Sequence, residues 1–190
     1  MKTHALALTL LLGLAACASP PETRFYTLSD AEPVSTEAPV SPQTPLMMSR
    51  VQMPEYLDDR RLWVRTESHR LQALPNVRWA ESLPRATTGY LQQRLGAVTE
   101  RVHDGGGHRL LVDLDHFEAR WGESGEEDRM ILSGRWRLEG QSGPAHPFRE
   151  ERVLEDRQAA TLVAAKSRLL ERLAEEIAST VSQQRRQQAH

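Results

Sequence analysis

Two neighbouring stretches, Arg109 to Trp121 and Arg129 to Glu139, alternate in polarity residue by residue, and the acidic, glycine-containing loop Gly122 to Asp128 separates them. Successive side chains of a strand point to opposite faces, so a period of two over this length predicts a long antiparallel hairpin. In the first stretch Leu110, Val112 and Leu114 point one way, and Leu111, Asp113, Asp115 and Phe117 point the other. In the second, Met130, Leu132, Gly134, Trp136 and Leu138 share a face, with Arg129, Ser133, Arg135, Arg137 and Glu139 mostly opposite. A face this apolar requires a second layer to cover it.

The covering layer is legible too. Leu162, Val163, Leu169, Leu170, Leu173, Ile177 and Val181 recur at helical spacing, predicting a helix from Gln158 to Gln184. Its other face is assigned Lys166, Arg168, Glu171, Arg172, Glu175 and Glu176, and the polar end from Gln183 is expected to fray. A second helical pattern opens at Trp79, with Leu83, Ala86, Tyr90, Leu91, Leu95 and Val98 on one face and Pro84 in the first turn, where proline is tolerated. Leu46 to Met53 reads as a strand that stops at Pro54, followed by a helical turn over Glu55 to Arg60. Leu62 to Thr66 reads as another strand, and Leu71 to Arg78 as a strand or an irregular link around Pro75. His103 to His108 reads as a turn, Gly140 to Pro147 as a loop, and Phe148 to Leu154 as a charged strand near an edge. The order predicts an α/β fold: a single compact domain with one mixed β-sheet packed by two main helices.

The N-terminus has a different character. Lys2 precedes an apolar run, Ala5 to Leu14, and small residues lead into Cys17, the only cysteine. That is the anatomy of a secretory signal, too short to span a bilayer as a mature helix. The ending Leu14-Ala15-Ala16-Cys17 resembles a bacterial lipobox, in which the thiol is lipidated and the cysteine becomes the mature N-terminus. Residues 1–16 are then a cleaved signal peptide, and about 174 residues remain, enough for one domain and a tail. A lone thiol in an oxidising compartment cannot form an internal disulfide, and thioether attachment to diacylglycerol, with further acylation, removes the liability. Several acyl chains hold a protein where one binds only marginally. Ala18 stands where Asp resembles an inner-membrane retention signal, so sorting to the outer membrane is expected, with the protein facing the periplasm.

Residues 17–45 form the tail, rich in Pro, Ser, Thr and Glu, which as an extended leash would reach several tens of ångströms at about 3.1 Å per residue. Within it, the segment 24–28 is aromatic and β-prone, and Phe25, Tyr26 and Leu28 are expected to dock on the domain as a short edge strand and to offer a partner-binding segment. Residues 46–184 form the folded domain and 185–190 a frayed end. The exposed edge at Arg149 to Arg152 is a second place where a partner strand would fit, although its charge is a device against pairing.

Composition and motifs argue against several functions. The formal net charge is −2, with no concentrated basic face for nucleic acid. His103, His108 and His116 with Asp113 and Asp115 lack metal-ligand spacing, and a strand turns such neighbours to opposite faces. Glu126, Glu127 and Asp128 are adjacent in one loop, whereas a glycosidase pair flanks a bond from two sides. Ser82 and Ser133 sit in no nucleophile elbow, and Gly105-Gly106-Gly107 is followed by no Lys-Ser or Lys-Thr. No cofactor is expected beyond the lipid on Cys17, and no catalytic or metal site.

The lipobox, Phe25-Tyr26-Thr27-Leu28, Val51 to Asp58, Arg78 to Leu83, Leu111 to Phe117 and the helix carrying Leu162 to Ile177 occur in an order that resembles the PqiC family of ABC-type transport auxiliary lipoproteins, named for paraquat-inducible protein C. The usual pattern has Pro after Glu where this chain has Ser82, and the segment Ser29 to Pro45 is long for the family. The resemblance implies a non-enzymatic role in phospholipid traffic between membranes, supporting membrane integrity, from the inner leaflet of the outer membrane. It also implies a periplasm-spanning MCE-domain partner and a homo-oligomeric ring. A lipoprotein that regulates a peptidoglycan synthase is the alternative from another class, since a leashed α/β domain would suit reaching through the cell wall.

Overall fold

The computed structural model describes residues 21–28, 46–96, 98–99, 108–139 and 144–188; Cys17, Ala18, the turn at 103–107 and most of the Pro-rich segment lie outside them. The elements in chain order are β1 (Arg24–Tyr26), β2 (Leu46–Met48), a 3₁₀ turn at Glu55–Leu57, β3 (Arg61–Glu67), β4 (Arg70–Trp79), α1 (Leu83–Leu95), β5 (Val98–Thr99), β6 (His108–Arg120), β7 (Arg129–Glu139), β8 (His146–Val153) and α2 (Ala159–Gln188). One mixed sheet packed by two helices forms a single compact domain, as the patterning predicts.

The sheet is organised around β6. Along one edge β6 pairs antiparallel with β7 from Arg109↔Glu139 to Arg120↔Arg129, and β8 continues beyond β7. The other edge is shared. β2 lies parallel to its beginning (Leu46↔His108 to Met48↔Leu110), and β3 lies parallel to its end (Val64↔Ala119, Arg65↔Arg120). A wing of β3, β4 and β1 is thus joined to the main sheet by a two-pair ladder, with β1 parallel to β4 at its outer side.

The phase of β6 departs from strict alternation. Leu114 pairs with Gly134 and His116 with Ser133, so Asp115 is an extra residue, a β-bulge. The bulge shifts the parity, and Phe117 and Ala119 join Leu110, Val112 and Leu114 in the core instead of pointing away. Gly134 makes this possible: a Cβ there would lie 2.1 Å from the Asp113 carbonyl oxygen and 2.9 Å from the Leu114 Cα.

The helix boundaries also differ from the apolar pattern. Trp79 is the last residue of β4 and is buried there, and Val98 belongs to β5. Proline is compatible only with the first turn, so Pro84 fixes the start of α1 close by, and Gly96 ends it in a left-handed conformation at φ 59°. β4 runs through Pro75 with a register slip between Ala73 and Arg78 and a positive φ at Asn76, combining the two readings of that segment. The β2 ladder ends at Met48, although Gln52 still bridges to Asp113. Pro147 lies inside β8, an outer strand where a missing N–H is tolerated. Helix α2 continues to Gln188, because Gln and Arg are good helix formers.

Lys166 is the largest departure in α2. It is 2% exposed, not on the polar face. Its position, four residues after Leu162 and three before Leu169, is on the apolar stripe, and helical geometry overrides residue type.

Candidate functional site

A buried polar network sits where β3 meets β6. Glu118 follows the bulge and is 2% exposed. The Tyr56 hydroxyl donates to its Oε2 at 3.0 Å, and the Phe117 amide donates to the same oxygen at 2.9 Å. Arg65 donates from Nε and Nη2 to Oε1 at 3.2 and 3.0 Å, and His116 Nδ1 lies 3.1 Å from that oxygen. Burial alone would raise the Glu118 carboxyl, but the contacts from His116 and the Phe117 amide outweigh it and hold the group below the usual carboxylate range. Burial, then the Glu118 charge, pushes the Tyr56 hydroxyl up. On the core side of the same strand, the Lys166 ammonium donates to the Phe117 carbonyl oxygen and lies 3.9 Å from the centre of the Phe117 ring. Burial pulls it down to about 7, against the opposing pull of Glu118.

A buried carboxylate beside a histidine is what a hydrolase would show, yet Glu118 lines neither of the grooves described below. Both Glu118 oxygens are occupied by neighbouring donors, and a general base needs a free lone pair within reach of a substrate proton. The arrangement stitches β3 to β6 instead.

The structure disperses the remaining titratable candidates. Asp113 is 3.8 Å from Arg135, Asp115 is exposed at the bulge, and His108 opens β6. Among the described residues no cluster of three or more His, Cys, Asp or Glu side chains could hold a metal ion. In the loop after β6, Asp128 accepts from Arg157 at 2.6 and 2.9 Å and from the Gly122 amide at 2.8 Å, tying the hairpin tip to the start of α2. The Arg157 hydrogen bond holds the Asp128 carboxyl below its ordinary value. Glu127 pairs with Arg129 at 2.8 Å. Ser82 caps α1 by position without a side-chain hydrogen bond, and Ser133 is buried in β7 opposite His116.

The segment singled out at the N-terminus occupies an outer strand. Arg24, Phe25 and Tyr26 pair with Val77, Arg78 and Trp79, and the Ala80 amide donates to the Tyr26 carbonyl at 2.9 Å. Leu28 is buried at 2%, and its carbonyl accepts from Ser167 Oγ at 2.8 Å, fastening β1 to α2. Phe25 is 62% exposed. It lines an open groove of about 500 Å³ together with Tyr90 and Arg94 of α1 and Val163, Ser167 and Glu171 of α2. Glu171 is paired there with both Arg94 and Arg168 at 3.2 Å. A smaller groove of about 340 Å³ lies between Arg24, Leu74 and Pro75 and the start of α2 at Arg157 to Ala160. The Glu118 network could not be read from sequence, because its contacts span 53 and 62 residues.

A protein-family model described as the ABC-type transport auxiliary lipoprotein component matches residues 26–178. The chain belongs to this family. The match begins at Tyr26, the last residue of β1, and ends in α2. Two crystal structures share the fold. One, of an uncharacterised protein, has a TM-score of 0.64 at 20% identity over 85% of this chain and 99% of its own. The other, of a Xanthomonas campestris protein from a domain family of unknown function, has a TM-score of 0.61 at 18% identity with the same coverage. A comparison with curated proteins returns no match. Among the described residues no helix is long and apolar enough to cross a membrane.

Proposed function

We propose that this auxiliary lipoprotein is a non-enzymatic component of an MCE-type intermembrane phospholipid transport system. It is anchored through Cys17 in the inner leaflet of the outer membrane and faces the periplasm. The family match over residues 26–178 carries the reading. Ala18 after the lipidated cysteine supports outer-membrane sorting. The Glu118 carboxylate, the best candidate for chemistry, is saturated by structural partners, which supports a binding role over a catalytic one. The alternative role at a peptidoglycan synthase draws on a Pro-rich leash long enough to reach through the cell wall, with the segment 24–28 docked on the domain. With β1 paired to β4 from Arg24, only residues 18–23 lie between Cys17 and the sheet, a short reach that favours the transport reading.

The test is co-purification. The full-length lipidated protein, extracted in mild detergent, is expected to enrich an MCE-domain protein over a control lipoprotein of the same membrane. No enrichment across several mild detergents would overturn the assignment to that system.

A further inference from the structure

Because β1 is built into the sheet from Arg24, only residues 18–23 separate Cys17 from the folded domain. Seven Cα steps of a fully extended chain span at most about 25 Å. The remainder of the Pro-rich region, residues 29–45, connects β1 to β2 and adds nothing to the reach from the anchor. The lipid on Cys17 therefore holds one pole of the domain close to the bilayer.

That pole is identifiable. It comprises the start of β1, the irregular part of β4 at Leu74 and Pro75, and the first turn of α2, which together line the smaller groove. Phe25, one of two exposed large apolar side chains among the described residues, follows Arg24 in β1 and lines the adjoining larger groove, which shares Tyr26 and Ala160 with the smaller one. Pro21, Glu22, Thr23 and Arg24 lead into the pole and are all exposed. Its charges are balanced: Arg24 lies near Glu22 in sequence, and Arg157 is engaged by Asp128. The α2 helix starts at this pole and is 30 residues long, so its far end lies about 45 Å away along the axis.

We propose that this pole is a membrane-contact surface, with Phe25 inserted at the headgroup level of the leaflet that carries the anchor. The occupant of the surface is the phospholipid layer itself. An exposed aromatic ring in water gains by burial in the acyl–headgroup boundary, and a tether this short supplies a high local concentration of that boundary. The inference rests on lipidation of Cys17, and it goes beyond the transport role by fixing which end of the domain faces lipid and which faces the periplasm.

The experiment uses the full-length lipidated protein in vesicles of phosphatidylethanolamine and phosphatidylglycerol. Once Cys17 is acylated, Thr23→Cys or Gln183→Cys provides a single free thiol for a nitroxide spin label, and relaxation by oxygen against a water-soluble nickel complex reports depth. The oxygen-to-nickel ratio is expected to be severalfold higher at position 23 than at position 183, and to fall when Phe25→Ser is added. Equal aqueous ratios at 23 and 183 in protein whose mass shows lipidation would overturn the orientation while leaving the anchor intact. A ratio at 23 that ignores Phe25→Ser would overturn insertion of that ring. A mass without lipid on Cys17 would remove the anchor and the proposal together.

Discussion

At one end of the sheet, β8 lies along β7 through eight register pairs, α2 roofs both strands, and Arg172 of the helix reaches Glu150 of β8 at 3.0 Å. At the other end, β1 makes three pairs with β4 and presents Phe25 to solvent. The outward residues of β8 are Arg149, Glu151 and their neighbours, which pair with one another at 2.6 Å and discourage strand addition. The β1 end has no such run of charge, only brevity. The main sheet is thus built to stay shut, whereas the wing carries the chain's connection to the proposed anchor at Cys17 and one exposed aromatic ring.

The strand-to-strand joint between the two ends is narrow, two ladder pairs and the Glu118 network, with α2 fastened to β1 through Ser167 and Leu28. Glu118→Ala leaves the Arg65 guanidinium and the Tyr56 hydroxyl without their shared partner, an expected loss of about 3–5 kcal/mol. Hydrogen exchange should then show protection falling first in β3 and β4, with β7 and β8 retained; uniform loss across both ends would break the comparison. Gly134→Val acts on the other side. Its Cβ would meet the Asp113 carbonyl at 2.1 Å, so the bulge cannot close, and a loss of about 3 kcal/mol by chemical denaturation is expected.

Lys166 sits between these regions, under the bulge. Its ammonium releases its proton near pH 7 when folded and near 10.5 in an ordinary environment. The unfolded chain therefore binds more protons between those values, the full penalty of the buried charge is present below pH 7, and stability rises with pH across the window by at most about 1.4 kcal/mol per unit. Lys166→Met should flatten that rise and raise stability at pH 6 by about 1–2 kcal/mol, read from melting curves across pH. An unchanged pH profile would show that the ammonium is not the titrating group. Phe25→Ser is the smallest change in the isolated domain, within about 0.5 kcal/mol, because the ring already faces water.

The two ends also differed in how far sequence disclosed them. The hairpin was legible because a period of two persisted through β6 and β7, and the aromatic, β-prone run 24–28 marked β1. The phase at Phe117 is hidden because a bulge inserts one residue without changing composition, and Gly134 is its trace in the sequence. Residue type assigns Lys166 to the polar face, while its spacing from Leu162 and Leu169 puts it in the core. Glu118, Arg65 and Tyr56 come together only through the parallel pairing of β3 with β6, and nothing local encodes a contact over 53 residues. Cys17 is the opposite case: its proposed role is written wholly in the local sequence, and the fold adds how near the domain must stay to it.

The distance of the domain from the bilayer tests that account most directly. A flexible insertion of about ten residues after Ser19 lengthens the tether, whereas the same insertion after Glu37 lengthens only the connection between β1 and β2. Neutron reflectometry on supported bilayers carrying the lipidated protein should show the domain layer moving outward for the first insertion and staying in place for the second. Equal displacement by both insertions would mean that β1 does not hold the chain to the sheet, and would contradict the short tether.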